Sequence, residues 1–137
     1  MASDSQLTGD NVVDIRMKKI KLIDGYLVGV AGQAGVIQEF FKWFTENSKN
    51  WPLRIPENLK QDEDDYPVFA MVVKNKIWRI DGVGYPYEVT GAYTAIGSGR
   101  QIALGAMAMG ADAKKAVQIA IKHDIYSSGP IKTIAKI

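Results

Sequence analysis

Asp24-Gly25 stands between two apolar-rich runs, Lys19-Ile20-Lys21-Leu22-Ile23 and Tyr26-Leu27-Val28-Gly29-Val30-Ala31. A two-residue Asp-Gly joint accepts the positive φ angles that fit the twist of two antiparallel strands, so the stretch predicts a β-hairpin. The second strand runs out into Gly32-Gln33-Ala34-Gly35. A glycine there can turn its N–H into a cleft that a side chain would obstruct, or simply join a strand to a helix.

A helix is predicted from Ala34 to Ser48, because Ile37, Phe40, Phe41 and Phe44 recur at helical spacing and form one core-facing stripe. Pro52, Pro56, Pro67 and the acidic run Asp62-Glu63-Asp64-Asp65 then mark 50–67 as a loop facing solvent. Two runs, Val68 to Val73 and Lys76 to Ile80, predict a second hairpin across Lys74-Asn75. Tyr87 to Val89 and Tyr93 to Ile96 are expected to continue the sheet.

The sheet pattern ends at Thr94-Ala95-Ile96-Gly97-Ser98-Gly99, where a small-residue turn leads directly into a helix, Arg100 to Met109. Gly97 and Gly99 permit backbone angles closed to other residues, and Ser98 presents a hydroxyl between them. The helix start aims N–H groups at the same spot, which favours an anion or a developing negative charge, although such turns often only connect two elements. Ala103, Gly105, Ala106 and Ala108 allow close approach to a neighbour. Gly110 stops this helix, and Asp112 is a good N-cap for a third, Ala113 to His123, with Ala113, Ala116, Val117, Ala120 and Ile121 as its apolar face. Ile131 to Ile137 reads as a last strand.

Strands, helix, strands, two helices and a strand define an α+β chain. Two antiparallel sheets stacked face to face and flanked by helices, a four-layer α/β/β/α sandwich, accommodate the pattern because each helix has one apolar face to bury; a two-layer fold is the alternative. At 137 residues, 47% hydrophobic and 23% charged, residues 1–137 form one domain. A net charge of +2, with an acidic densest run, gives no support to nucleic-acid or membrane-surface binding. Zero cysteines exclude disulfides and thiolate metal sites and suit a cytoplasmic protein. The single histidine, His123, falls at a helix end without a His or Cys partner, so neither a metal nor a cofactor is expected.

Five blocks occur in an order and spacing that resemble proteasome β-type subunits: Ala2-Ser3-Asp4-Ser5, Met17-Lys18-Lys19-Ile20, Gly29-Val30-Ala31-Gly32, Ala95-Ile96-Gly97-Ser98-Gly99 and Asp124-Ile125-Tyr126-Ser127-Ser128-Gly129. The chain is most similar to the short HslV-like members of bacterial and phage genomes. This resemblance covers nearly the whole sequence and implies an N-terminal-nucleophile (Ntn) threonine peptidase fold, assembled as a homo-oligomer, often a ring with inward-facing sites, acting on peptide or protein substrates, with an unfoldase as a further partner. By resemblance, Lys19 lowers the pKa of the nucleophile's group, and Asp4 holds that lysine. The Gly32 N–H is the oxyanion donor, Ser98 sits beside the nucleophile's α-amine, and Asp124 and Ser127 support it. Such chemistry is coherent: the α-amine of a first-residue threonine takes the proton of its own hydroxyl, while an ammonium and a backbone N–H stabilise the developing charge.

In the family a first strand with the threonine at its start precedes the Ala-x-Asp-Ser block, which begins here at Ala2. Met1 and Ala2 offer no nucleophile, and Ser3, Ser5 and Thr8 lie downstream of the required place. The sequence as it stands is therefore expected to be catalytically silent. Either translation begins upstream and supplies the strand and its threonine, or the chain is a non-catalytic structural relative; in the latter, the small-residue helix and the face at Phe40, Phe41 and Phe44 would supply interfaces. A third reading is an Ntn amidohydrolase acting on a small amide.

Overall fold

The computed structural model describes residues 1–3, 7–8, 13–14, 18–32, 34–59, 68–82, 84–124 and 132–133. Its centre is a five-stranded sheet in which every neighbouring pair is antiparallel. Three two-residue strands precede it in the chain: β1 (Ala2–Ser3), β2 (Leu7–Thr8) and β3 (Val13–Asp14), the last two paired with each other. The sheet itself is β4 (Ile20–Ile23), β5 (Tyr26–Ala31), β6 (Phe69–Val73), β7 (Ile77–Asp81) and β8 (Tyr87–Val89), in chain order. β9 (Lys132–Thr133) lies apart from it and pairs antiparallel with β1.

The first hairpin forms as its sequence predicts. Ile23 faces Tyr26 across Asp24 and Gly25, whose φ angles of 48° and 81° are those of a tight two-residue turn. The second hairpin is one residue looser. Val73 faces Ile77, so Lys76 belongs to the turn rather than the strand, and its ammonium pairs with Glu88 at 3.5 Å.

Alternation along the strands gives the sheet two different faces. One carries Val28, Val30, Ala70, Val72 and Ile80, all buried, against α1 (Ala34–Asn47). The predicted stripe of α1 supplies Ile37, Phe40, Phe41 and Phe44 to this core, each no more than 3% exposed. These phenylalanines are therefore filled by the chain's own sheet and offer no interface, contrary to the use foreseen for them in a structural relative. Residues 50–67 also differ from a solvent-facing loop where they are described. Trp51, Ile55 and Leu59 are buried in the same core, and Ile55 exchanges backbone hydrogen bonds with Gly84 in both directions, at 2.6 and 3.3 Å. Prolines in this stretch break regular structure, yet its apolar side chains still have more to gain from burial than from water.

The other face of the sheet looks toward a helix pair, α2 (Arg100–Ala108) and α3 (Ala113–His123). The Asp112 carboxylate accepts the Lys115 N–H at 2.8 Å, the predicted N-cap. Ala103 and Ala116 are the buried contacts of the pair, together with Ala95. Gly105 faces open space and Ala108 is exposed, so close approach runs through Ala103, Ala116 and the partly buried Ala106 and not along the whole small-residue stripe. Tyr93 to Ile96 does not continue the sheet as expected. Ala95 is drawn into the helix-pair core instead, which takes the segment away from β8. No described helix is long and apolar enough to cross a membrane.

Candidate active site

Between the second sheet face and the helix pair lies a cavity of about 790 Å³. Its floor is largely apolar, with Ile20, Gly29 and Met71 from the sheet opposite Ala103, Ala116 and Ala120 from the helices. Polar groups on its lining include Lys19 and Ser98, two of the residues that the sequence singles out.

Lys19 immediately precedes β4 and is half-buried on the cavity wall; its carbonyl accepts the Val30 N–H at 2.9 Å, which fixes its backbone to the neighbouring strand. Gly32 follows the end of β5 on the same wall, at φ +138°. A Cβ there would meet nothing within 4 Å, so it is the backbone angle and not lack of room that calls for glycine. The turn Gly97-Ser98-Gly99 also lines the cavity, beside the end of β5. Gly97 has φ +94°, and an added Cβ would touch the Ala31 methyl at 3.5 Å, an ordinary contact. Gly97→Ala is thus expected to cost about 1–2 kcal/mol through backbone strain alone, read as a lowered urea midpoint with an unchanged slope.

Ser98 donates its hydroxyl to Asp124 Oδ2 at 2.7 Å. Asp124 stands at the C-terminal end of α3, where its own N–H bonds the Ala120 carbonyl at 2.8 Å. Two residues 26 apart in sequence are thereby joined, and the turn is tied to the helix pair. The same bond revises the anion reading of this turn. Ser98 already points at a carboxylate, and the Arg100 N–H and guanidinium both bond the Gly97 carbonyl, at 3.2 and 3.1 Å, so an incoming anion would meet negative charge and an occupied donor. Asp4 and Ser127 lie outside the described residues.

A second polar group on the cavity was not foreseen. Arg79 donates Nε–H to Asp81 Oδ1 at 2.9 Å and reaches Thr94 Oγ1 at 3.3 Å, while the Tyr87 hydroxyl donates to Asp81 Oδ2 at 2.6 Å. Alternation in Ile77-Trp78-Arg79-Ile80-Asp81 places both charges on the cavity face, a signal present in the sequence once the strand is recognised. Partial burial of the ring and, second, the bond to Asp81 raise the Tyr87 phenol above its ordinary value; the Arg79 charge opposes this. A raised folded-state pKa stabilises the protein fully below the ordinary tyrosine value of about 10, and the contribution is lost as pH climbs through the folded value. In a phenolate absorbance titration, Tyr87→Phe is expected to remove a component that titrates above the ordinary tyrosine value.

No family model matches the sequence, and no curated protein is similar to it at the sequence level. Solved structures are similar to it in fold. A eukaryotic HslV from Trypanosoma brucei superposes with a TM-score of 0.75 at 22% identity, over 96% of this chain and 88% of that one. Thiobacillus denitrificans BPH in complex with epoxomicin gives 0.71 at 16% identity, and the same protein in a separate structure gives 0.65 at 18%, each with the same two coverages. The chain therefore has the mixed α+β fold of HslV-type structures. HslV is also the group its five sequence blocks resemble.

Proposed function

We propose that this chain is a proteasome β/HslV-like threonine-peptidase scaffold that hydrolyses peptide amide bonds when a threonine-led strand stands before Ala2. The observation that carries the reading is the convergence of Lys19, Gly32 and Ser98 on one cavity, with Ser98 bonded to Asp124. Those are the residue types that an N-terminal threonine needs around it: a cation for the alkoxide, a backbone donor for the oxyanion, and a polar pair to orient the amine. Asp4 and Ser127 join the proposed set on the resemblance alone.

The same reading extends the architecture to the four-layer sandwich. In it, the β1–β9 pair is the beginning of a second sheet that fills the cavity, with α1 outside one sheet and α2 and α3 outside the other. One domain spans 1–137 and assembles as a homo-oligomer, in a ring, in the cytoplasm, acting on peptide or protein substrates.

The experiment is a comparison of two forms. The 137-residue chain, with Met1 or Ala2 first, is expected to leave a fluorogenic peptide amide intact, because hydroxyl and α-amine must belong to one residue. A form extended by a strand with threonine first is expected to cleave it and to bind epoxomicin, the ligand of the Thiobacillus neighbour. An extended form that folds, assembles and stays inert overturns the peptidase reading and leaves the structural-subunit alternative standing.

A further inference from the structure

We propose that Arg79 is a positioning residue, a latch that holds the segment Thr94–Gly99 to the five-stranded sheet across one end of the cavity. The need for such a latch follows from the packing. The described hydrophobic residues divide into two cores, one between the sheet and α1 and a smaller one of Ala95, Ala103 and Ala116, and the cavity lies between the sheet and the helix pair. Where the turn meets the sheet, Gly97 lies beside the Ala31 methyl, a contact too small to resist sliding by itself, since dispersion falls away within an ångström of separation.

Arg79 is built for the task. Its side chain is 19% exposed and rises from the strand face that looks into the cavity, with Tyr87 directly beside it on β8. Asp81, two residues along the same face, uses one carboxylate oxygen for Arg79 Nε–H and the other for the Tyr87 hydroxyl. That pair of bonds sets the plane of the guanidinium before it reaches the loop, and the remaining arm lands on Thr94 Oγ1. A guanidinium can serve two directions at once; an ammonium on a flexible stem cannot hold both. Asp81 also neutralises Arg79, which disfavours the other use of a cavity arginine, the capture of an anionic ligand.

What the latch positions is the turn. Thr94 is four residues before Ser98, and the turn closes through the Arg100 N–H on the Gly97 carbonyl and the Ala103 N–H on the Gly99 carbonyl. Fixing Thr94 fixes the approach of that turn to Lys19 and Gly32, which are anchored on the sheet side. The latch stands on these bonds; its consequence for catalysis rests on the peptidase reading above.

Amide hydrogen exchange on the 137-residue chain tests it. Thr94→Val removes the acceptor while keeping the shape, and Arg79→Met removes the donors while keeping much of the stem. Each is expected to speed exchange of the Arg100 and Ala103 amides by about tenfold, the loss of one hydrogen bond to a charged group, with the β5–β6 ladder unchanged. The double variant should exceed neither single one, and Thr94→Ser should restore the original rates. Unchanged exchange in Thr94→Val, additive effects in the double variant, or acceleration spread equally over the sheet would each overturn the latch. In a threonine-led form, Thr94→Val is further expected to lower kcat with KM held within about twofold. An equal rise in KM with kcat unchanged would remove the positioning role, and an inert threonine-led form would reject the peptidase reading while the exchange result still decides the latch.

Discussion

Phe44→Ala is expected to lower the free energy of unfolding by about 3–5 kcal/mol, a large part of the roughly 5–15 kcal/mol that holds a domain together. The ring is 0% exposed and stands where three aromatic contacts meet: Tyr26 edge-on at 5.7 Å, Phe40 stacked at 6.3 Å and Trp51 edge-on at 5.3 Å. Tyr26 comes from the sheet, Phe40 from one turn earlier on α1, and Trp51 from the proline-rich stretch after it. Truncation therefore loses the transfer energy of one phenyl group and also opens a hole that three separately anchored elements would have to move to fill. Urea denaturation measures the loss directly. Met109→Ala, at 89% exposure, is the control and should shift stability by less than about 0.5 kcal/mol. Equal effects of the two substitutions would show that the aromatic cluster is not where the fold is held.

The elements that could be read from the sequence are those whose signal is local. Asp24-Gly25 names its own turn type, Ile37 to Phe44 names a helix face, and Asp112 names a cap, because in each case the deciding interaction lies within a few residues. Readings failed where distant partners decide. Trp51, Ile55 and Leu59 sit among prolines that announce a loop, and only the neighbouring aromatic core explains their burial. Tyr93 to Ile96 alternates like a strand, yet Ala95 finds its partners on α2 and α3.

At the site, Gly97 was legible as a position that needs an unusual backbone angle and has φ +94°, whereas Gly99, read the same way, has φ −84°; Gly32, read as sparing a cleft a side chain, is called for by its φ of +138° instead. The Ser98–Asp124 bond joins two of the family-like blocks that no local rule would connect. Arg79 and Asp81 went unread because a charge inside a strand is ordinarily solvated; only the register with β8 and the loop beyond reveals that theirs face the cavity.

In a threonine-led form, Lys19→Ala is expected to abolish peptide cleavage, with kcat falling on the order of a hundredfold or more. The threonine hydroxyl attacks only as its proton leaves, and the negative charge that develops on oxygen is costly in a partly desolvated cavity unless a cation stands beside it. Lys19 is half-buried on that cavity, and its backbone is tied to β5 through the Val30 N–H, so the side chain starts from a rigid base. Substrate binding does not need this charge, because it stabilises a state reached only during reaction; kcat should fall and KM should stay within about threefold. Ser98→Ala and Asp124→Asn should be milder, since the role proposed for this pair is to orient the amine rather than to neutralise the alkoxide, and combining them should cost little more than either alone because they share one hydrogen bond. Cleavage by a threonine-led form that survives Lys19→Ala would remove Lys19 from the site and, with it, the assignment of this cavity as catalytic.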